Sequence, residues 1–511
     1  MTTKIAIMGA GPGGLAAAML MASDGFDVDV YESANAVGGR TSQIHQNGFR
    51  FDTGPTFFLY PAVLKQIFSR CGFCFEDEVE LIRLDPLYEI IFENSDSIKV
   101  YKDLQRLRAE ISRFSKHDAA NIEQFLRDNE LKFARFLPVL QRPFLGWSQL
   151  FSMDLLKSLG SLRPFSSVDK DLSKFFRNEK IRLAFSFQSK YLGMSPFNCP
   201  SLFTILAYME HEYGVYHPIG GCHRIISTMA RLARRMGVRI HLNDAVKNIN
   251  FAGRRFQSLN TQSGRKTADA LIVNADFAHF VSRYVPQKLL SHWNHAKLKK
   301  KQFSCSTFMM YLGIKGNYPQ LEHHSILLSE DYKANLADIE AGGEPPKSPS
   351  LYVQNACRTD PKLAPEGCST LYVLVPVANQ VNAVDWTKHR MSYRNMVIKR
   401  LGLLGIEDLE RRIVFEKIVT PQDWLEQHAI YQGATFNLAH SMDQMLHRRP
   451  QNRFSELEGV YLVGGGTHPG SGLPVIFEGA RITADLVRSD YASDRVKSSG
   501  LAKTVAKEAV G

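Results

Sequence analysis

Two glycine-rich segments, one near each end of the chain, each join an apolar run to a glycine turn and a helix-like run. The first reads KIAIMGAGPGGLAAAML and carries Gly9, Gly11 and Gly14 in the pattern Gly-x-Gly-x-x-Gly. The second, VYLVGGGTHPGSGLPVIFEGARITADLV, repeats the order of strand, turn and helix. An apolar strand that turns through glycines into a helix is typical of doubly wound α/β sheets. The two segments therefore predict one nucleotide site built from distant parts of the chain.

The residues of the first turn have separate physical roles. Gly9 permits the tight turn after the strand, Gly11 lets the backbone approach a pyrophosphate, and Gly14 allows close packing of helix on strand. Pro12 and Gly13 begin the helix, whose free N–H groups and positive dipole end favour a phosphate. The alternative is that the glycines only form a turn. It is disfavoured because strand, helix and a downstream acid are all in place.

Glu32 and the sequence Gly38-Gly39-Arg40 narrow the choice of nucleotide. Glu32 closes the second apolar run, DVDVYE, at the place where an acid accepts hydrogen bonds from ribose hydroxyls. No basic residue stands beside it to bind a 2′-phosphate, which disfavours NADP. Gly39 allows another close approach of the backbone, and Arg40 adds a positive charge near the phosphates. This combination favours FAD over NAD.

With these motifs the chain resembles the flavin amine oxidase and carotenoid desaturase superfamily, and most closely the bacterial-type phytoene desaturases and related carotenoid oxidoreductases. The resemblance extends over almost the whole chain, about residues 4–488. The shared stretches are GFRFDTGPTFF (48–58), YGVYHPIGGCHRI (213–225), ADALIVNAD (268–276), DPKLAPEGCSTLYVLVPV (360–377) and GGGTHPGSGLP (464–474).

The order of strand-like and helix-like segments predicts an α/β protein with a Rossmann-like FAD-binding domain and an inserted α+β substrate-binding domain that has a helical, membrane-associating part. The FAD-binding domain is expected at residues 1–100, 220–285 and 450–490. The substrate-binding domain is expected at residues 101–219 and 286–449. We interpret residues 330–350 as a surface loop and residues 491–511 as a flexible tail.

The resemblance also implies further cofactor contacts. Val246 would pair with adenine through its backbone, and Asp276 would close the middle segment of the nucleotide domain. Gly465, Gly466 and the helix that starts near Leu473 would face the ribityl chain and the isoalloxazine ring. A helix N-terminus there would stabilise the anionic reduced flavin.

The implied reaction removes hydrogens from adjacent carbons of a long polyisoprenoid such as phytoene or diapophytoene, with oxygen or a quinone as final electron acceptor. His468 is one candidate catalytic residue, although in a turn beside a cofactor it could serve only to fix the loop. Asp154 is a second candidate. In phytoene desaturases an Asp and an Arg have been suggested as acid/base groups, and the corresponding stretch 144–156 has Gln149 and Ser152 at those places.

Charge and composition set limits on the partners. The chain has a net charge of +11 without a basic block interleaved with aromatic residues, so we discount nucleic acid. It has no apolar run long enough to cross a membrane. Residues 142–165 combine Leu, Phe and Trp with flanking basic residues and are suited to shallow membrane insertion, with a packed lid as the alternative. We therefore expect a cytoplasmic protein that is peripherally associated with a membrane.

The seven cysteines do not predict a disulfide framework or a metal site. They are odd in number in a chain without a signal peptide, and Cys71-x-x-Cys74 is the only close pair. We interpret both members of that pair as core thiols.

Other functions remain open at this stage. Within the same branch they are a carotenoid terminal-methyl oxidase and a hydroxysqualene-processing flavoenzyme. A flavin amine oxidase is disfavoured by the HPGSG and LAPEGC stretches. A non-enzymatic prenyl carrier similar to the GDP-dissociation inhibitors would bind no flavin and would be colourless. Substrate chain length, the number of desaturation steps and the oligomeric state are not fixed by the sequence.

Overall fold

The computed structural model describes residues 2–144 and 162–508, and the side chains of residues 2–144 and 162–491. The strands, in chain order, are β1 (Lys4–Met8), β2 (Asp27–Tyr31), β3 (Gln43–Gln46), β4 (Phe49–Asp52), β5 (Phe58–Leu59), β6 (Leu81–Arg83), β7 (Tyr88–Phe92), β8 (Ser97–Val100), β9 (Val215–Pro218), β10 (Arg239–His241), β11 (Val246–Ala252), β12 (Arg255–Thr261), β13 (Gly264–Thr267), β14 (Ala270–Val273), β15 (Ser306–Lys315), β16 (His324–Leu328), β17 (Leu351–Gln354), β18 (Cys368–Val377), β19 (Ile413–Val419) and β20 (Val460–Leu462). The α-helices are α1 (Pro12–Ser23), α2 (Ala62–Arg70), α3 (Phe75–Glu78), α4 (Leu104–Ser112), α5 (Lys116–Leu140), α6 (Val168–Leu172), α7 (Glu179–Ala184), α8 (Ile205–Tyr213), α9 (Cys222–Arg235), α10 (Phe277–Arg283), α11 (His295–Leu298), α12 (Tyr332–Ala341), α13 (Trp386–Leu401), α14 (Leu409–Arg412), α15 (Pro421–Glu426) and α16 (Leu473–Glu508).

Strand β1 pairs in parallel with β2 and with β14, a strand from the middle of the chain. The order across this sheet is β10–β2–β1–β14–β20, with Ile5 beside Val28 on one side and Ala270 on the other. Strand β14 then pairs with β20 through Leu271 and Val460. Strands β1, β14 and β20 are almost wholly apolar, as expected for a parallel sheet covered on both faces, whereas β2 and β10 also carry Asp27, Asp29, Arg239 and His241. The predicted α/β fold, with one sheet assembled from distant segments, is confirmed.

Helix α1 is apolar on all sides because it is enclosed by other elements. It contacts α9 and α16 as well as the sheet, and its residues from Gly13 to Met21 are buried. The small side chains of Ala16, Ala17 and Ala18 let the neighbouring helices approach closely. This packing fixes the start of α1 directly after the glycine turn.

A second, larger sheet has the order β19–β15–β18–β17–β16–β7–β8. Its strand β7 pairs in parallel with β16 through Glu89 and Ser325. Ile90 and Ile98, on β7 and β8, are buried in the same core as α4 and α5. The chain thus joins the second sheet from Tyr88 onward, ahead of the predicted domain boundary at residue 100, which stays a prediction.

Helices α4 and α5 form the first part of the helical region, as their apolar spacing predicts. Asp103 caps α4 by accepting from the Arg106 N–H at 2.8 Å, and Ser115 caps α5 by accepting from the Asp118 N–H at 3.2 Å. Helix α5 contains Pro138 in its last turn. Proline removes one N–H donor, and so close to the helix end only one hydrogen bond is lost.

Residues 332–341 form helix α12, so the prediction of a surface loop over 330–350 is wrong for this part. Tyr332, Leu336 and Ile339 are buried along one face, and Asp331 caps the helix by accepting from the Ala334 N–H at 2.8 Å. These positions follow the spacing of an amphipathic helix, but the glycine- and proline-rich stretch GGEPPKSPS directly after them favours a loop in the sequence. The last helix, α16, extends to Glu508, so its end lies inside the segment predicted as a tail; the flexibility of that tail stays a prediction.

Two other sequence features have a place in the fold. Cys71 is half-buried but Cys74 is exposed, so the interpretation of Cys74 as a core thiol is wrong. Across residues 2–144 and 162–508, no helix combines the length and the apolar character needed to cross a membrane.

Candidate nucleotide site and substrate cavity

One cavity of about 790 Å³ extends from the glycine turn after β1 to the helical region. Gly9, Glu32 and Arg40 line one end, and Phe133 and Leu137 of α5 line the other. Its volume lies in the upper part of the usual range for ligand sites, roughly 300–1,000 Å³. A polar nucleotide-like end and a long apolar end are therefore continuous.

The glycine turn leaves no space for side chains. Gly9 has a φ of +100°, and a Cβ on Gly14 would lie 2.1 Å from the Gly9 carbonyl oxygen. A Cβ on Gly13 would lie 2.8 Å from Oδ1 of Asn274, whose Nδ2 donates to the Gly9 carbonyl at 3.2 Å. Gly11 lines the cavity together with Gly9 and Gly13, whereas Gly14 packs α1 on the sheet. The sequence analysis gave no role to Asn274, although it lies within the quoted stretch ADALIVNAD.

Pro12 and Glu32 complete the wall of the cavity beside this turn. Oε2 of Glu32 accepts from the Ala10 N–H at 2.8 Å, and Oε1 accepts from the Ala34 N–H at 2.9 Å. Glu32 thus connects the end of β2 to the glycine turn. Each carboxylate oxygen has further lone pairs, so the predicted contact with a ribose stays compatible with this geometry.

Arg40 and Asp276 are connected through Asn437. Arg40 follows Gly39 in a short 3₁₀ helix and donates from Nη1 to the Thr435 carbonyl at 2.7 Å. The Asn437 oxygen accepts from Arg40 at 3.0 and 3.1 Å, and its nitrogen donates to Asp276 Oδ2 at 2.7 Å. Burial lowers the pKa of Arg40 and raises the pKa of Asp276, and each charge opposes the effect of burial on the other. The guanidinium is thereby held at a fixed position on the cavity wall.

Val246 lies at the start of β11, where the sequence analysis expects the adenine. It lines the cavity beside Ala245, and its carbonyl oxygen accepts from the Tyr284 hydroxyl at 3.2 Å. The structure therefore brings Val246 to the nucleotide end of the cavity. Its contact with adenine stays a prediction.

The second glycine-rich segment approaches the same cavity. Gly465 and Leu473 line it, and α16 begins at Leu473 with the free N–H groups of its first turn at this wall. Gly466 does not line it, and a Cβ there would lie 3.0 Å from the Cβ of Phe277 on α10. The helix N-terminus can stabilise negative charge on a bound group, while Gly466 has a packing role.

His468 does not line the cavity, and its candidacy as a catalytic residue stays a prediction. It is 1% exposed, and its Nε2 donates to the Arg142 carbonyl at 2.9 Å. Its ring also lies edge-on to Phe144, and burial lowers its pKa to about 4. These contacts support the other interpretation, in which His468 fixes the loop. Asp154, like Gln149 and Ser152, lies outside the described residues.

A hydrogen-bonded chain of three side chains opens into the cavity and was missed by the sequence analysis. The Thr56 hydroxyl lies 2.6 Å from the Tyr352 hydroxyl, which lies 2.8 Å from Nδ1 of His324. Thr56 and Tyr352 line the cavity, and the ring of Phe57 stacks on His324. Burial lowers the pKa of His324 well below its usual value, so the imidazole is neutral. Thr56 lies in the stretch GFRFDTGPTFF, but no motif marks His324 or Tyr352.

The loop that contains Thr56 is held by the second sheet. The Tyr311 hydroxyl donates to the Thr53 carbonyl at 2.7 Å, and the Tyr372 hydroxyl donates to the Gly54 carbonyl at 2.9 Å. The sheet thus positions both ends of the Thr56–Tyr352–His324 chain.

Several known proteins are similar to this chain in sequence or in structure. The family model of flavin-containing amine oxidoreductases matches residues 12–487. A 4,4'-diapophytoene desaturase (4,4'-diapolycopene-forming) from a Methylomonas species is 44% identical over 492 residues, covering 96% of each chain. A zeta-carotene-forming phytoene desaturase from Myxococcus xanthus is 34% identical, covering 94% of this chain and 93% of its own. An oxidoreductase from Methanosarcina mazei has a similar solved structure, with a TM-score of 0.64 and 18% identity, covering 94% of this chain and 99% of its own.

Proposed function

The chain belongs to the family of flavin-containing amine oxidoreductases, in its carotenoid desaturase branch, and from this premise we propose that it desaturates a linear C30 polyisoprenoid hydrocarbon of the 4,4'-diapophytoene type. The enzyme is an FAD-dependent oxidoreductase that acts on CH–CH bonds. The observation that carries the proposal is the single cavity, in which a nucleotide end continues into a long apolar end.

The residues of the nucleotide end fit FAD. Gly9, Gly11 and Gly13 leave a cradle that side chains would fill, as a pyrophosphate requires. Arg40 provides a fixed positive charge, and Glu32 lies where a ribose would contact the wall. The first turn of α16 offers unpaired N–H groups at the opposite wall. Bound FAD supplies the electron acceptor for dehydrogenation.

We propose that the Thr56–Tyr352–His324 chain receives the proton that desaturation releases. Forming a C=C bond removes a hydride equivalent from one carbon and a proton from its neighbour. Tyr352 lines the cavity, and its hydroxyl can pass a proton to Nδ1 of the His324 imidazole, which holds it only transiently because burial lowers the pKa of His324 and disfavours its charged form. The apolar wall of the cavity positions the two carbons that lose the hydride and the proton, and such positioning supplies much of the rate.

The similarity to known enzymes favours a C30 substrate over a C40 substrate. The Methylomonas relative, named for a C30 product, is 44% identical, whereas the Myxococcus relative named for phytoene is 34% identical. Both alignments cover more than nine-tenths of this chain. The relatives named as desaturases also favour an enzyme over a non-enzymatic prenyl carrier.

We further propose that the protein takes its substrate from a membrane surface and passes electrons to oxygen or a quinone. A long hydrocarbon has almost no aqueous concentration, and residues 142–165 combine apolar and basic side chains in the sequence. Flotation with liposomes tests this, with Trp147→Ser and Phe151→Ser in one protein. Unchanged flotation of that protein would contradict the assignment of this segment.

The proposed activity is tested by co-expression with pathways that make diapophytoene or phytoene, followed by pigment chromatography. We expect a yellow protein with flavin absorbance and consumption of diapophytoene in preference to phytoene. A colourless protein that FAD does not reconstitute would refute the flavoenzyme. Consumption of neither hydrocarbon would favour a terminal-methyl oxidase or a hydroxysqualene-processing enzyme instead.

A further inference from the structure

A group of hydrogen-bond donors interrupts the apolar part of the cavity. Lys190, Tyr332 and Asn335 all line the cavity, although they lie among aromatic and aliphatic side chains such as Phe187 and Leu336. Tyr332 and Asn335 are three residues apart on α12 and therefore lie on the same helix face. A hydrocarbon offers nothing to these donors, so their presence in its binding site needs a reason.

Asn335 is fixed by hydrogen bonds to its amide oxygen, and its amide nitrogen has no partner among the described residues. Its Oδ1 accepts from both the backbone N–H and the hydroxyl of Ser350, each at 3.2 Å. The Ser350 hydroxyl itself accepts from the Ser329 N–H at 3.0 Å. Asn335 is 5% exposed, and among the described residues its Nδ2 has no hydrogen-bond partner. The Tyr332 hydroxyl, on a residue that is 4% exposed, is also without a partner there.

Lys190 adds a positive charge to the same group. In the part of the chain that the structure describes, its ammonium has no hydrogen-bond or ion-pair partner within 4 Å, while its backbone carbonyl accepts from the Gly193 N–H at 3.0 Å. Burial lowers its pKa, and the carboxylate of Glu340 opposes this from a greater distance while accepting from Asn198 at 2.9 Å. Lys190, Cys305 and Tyr332 all line this cavity. Lys190 is half-buried, and an ammonium without a partner among apolar side chains is costly. Together with the Tyr332 hydroxyl and the Asn335 amide nitrogen it forms an arrangement suited to an oxygen ligand.

We propose that Lys190, Tyr332 and Asn335 bind a carbonyl or carboxylate oxygen at one end of a linear polyisoprenoid, so that the enzyme accepts chains already oxidised at a terminus. This substrate class rests on the proposed function, because the same cavity has to hold the chain. An ammonium, an amide N–H and a phenol O–H all donate to such an oxygen, and neither a methyl terminus nor a cation would satisfy them. The class of reaction that supplies the substrate is then oxidation of a terminal methyl group.

The test compares two C20 probes on the FAD-loaded enzyme: geranylgeranoic acid and the hydrocarbon of the same chain with a methyl terminus. Partition of the radiolabelled probes between the protein and detergent micelles gives both affinities. We expect Lys190→Met to weaken binding of the acid roughly 10- to 100-fold, as for a hydrogen bond to a charged group, and to leave binding of the hydrocarbon unchanged. The matched control is Lys333→Met, at an exposed position on α12 next to Tyr332, and it should change neither affinity.

Tyr332→Phe keeps the ring and removes a hydroxyl that has no partner, so it tests the site without disturbing the fold. We expect Tyr332→Phe to weaken binding of the acid about 5-fold and to leave binding of the hydrocarbon unchanged. Equal affinities of the two probes for the unaltered enzyme, or equal losses for both probes in either variant, would overturn the proposal. Turnover of diapophytoene is measured separately. If it occurs without a preference for the acid, only the oxygen site fails; if the preference exists without turnover, only the proposed desaturation fails.

Discussion

A single methyl group at Gly14 tests how the glycine turn holds the cofactor. In Gly14→Ala the new Cβ would lie 2.1 Å from the Gly9 carbonyl oxygen, whereas ordinary contact begins at 3.4 Å. The turn and α1 must therefore separate by about 1.3 Å, the difference between these distances, in a core where overpacking costs about 1–3 kcal/mol. Replacing glycine inside a helix returns about 1 kcal/mol, so the free energy of unfolding should fall by up to about 2 kcal/mol.

The larger effect is expected on the cofactor. Gly9 and Gly11 line the cavity directly beside the displaced helix start. An error of about 1 Å in a preorganised site costs on the order of 100-fold, which corresponds to about 2.7 kcal/mol of binding free energy. We expect FAD to dissociate from Gly14→Ala about 100 times more readily. The ratio of flavin absorbance to protein after dialysis measures this, together with the melting temperature with and without added FAD.

Gly402 provides the matched control. It also has a helical backbone, but nothing lies within 4 Å of a Cβ placed there. Gly402→Ala should keep its FAD and gain about 0.4–1 kcal/mol in unfolding free energy. Full retention of FAD by Gly14→Ala would refute the argument that the contact between Gly14 and Gly9 sets the geometry of the turn.

Three further substitutions test other parts of the site. Tyr352→Phe removes the link between Thr56 and His324 and should lower kcat about 100-fold or more with little change in KM. The control Tyr318→Phe, which is remote from the cavity, should leave both constants unchanged. An unchanged kcat for Tyr352→Phe would rule out the proton path. His468→Phe should lower the free energy of unfolding by about 1–3 kcal/mol, because the hydrogen bond to the Arg142 carbonyl is lost. The folded variant should retain most of its activity. A lower kcat without a loss of stability would restore a catalytic role for His468. Burial raises the pKa of Glu210 from 4.5 to about 7, so its contribution to stability is complete below pH 4.5 and is lost as the pH rises towards 7. In denaturant titrations, Glu210→Gln should reduce the change in unfolding free energy between pH 4.5 and 7 by up to about 3 kcal/mol. An unaltered pH dependence would contradict the raised pKa of Glu210.

The nucleotide end of the cavity could be predicted from the sequence because local motifs encode it. A glycine turn places its own residues, so Gly9, Gly11 and Glu32 reach the cavity wall as expected. The role of Asn274 could not be predicted with them. Its contact with Gly9 depends on how β14 lies beside β1, and this pairing joins residues that are far apart in the chain.

The substrate end shows the limits of reasoning from local patterns. Tyr352 and His324 come together because β16 and β17 are neighbours in the second sheet, and neither residue stands in a motif. Helix α12 is hidden in the sequence because the glycine- and proline-rich stretch GGEPPKSPS that follows it favours a loop. His468 attracted a catalytic interpretation as a histidine in a glycine-rich turn, yet only the packed structure shows that its side chain contacts Arg142 outside the cavity.

The pairing of β14 with both β1 and β20 has a consequence for how the protein forms in the cell. The edge of β14 that β20 covers stays open until residues 460–462 have left the ribosome, and α16, which packs on α1, is made later still. Such distant pairings make folding slow, and an exposed apolar strand edge promotes aggregation. FAD should therefore be bound only after synthesis is almost complete. In a cell short of flavin, the newly made chain would be lost to aggregation or proteolysis before it could accumulate as a stable apoprotein.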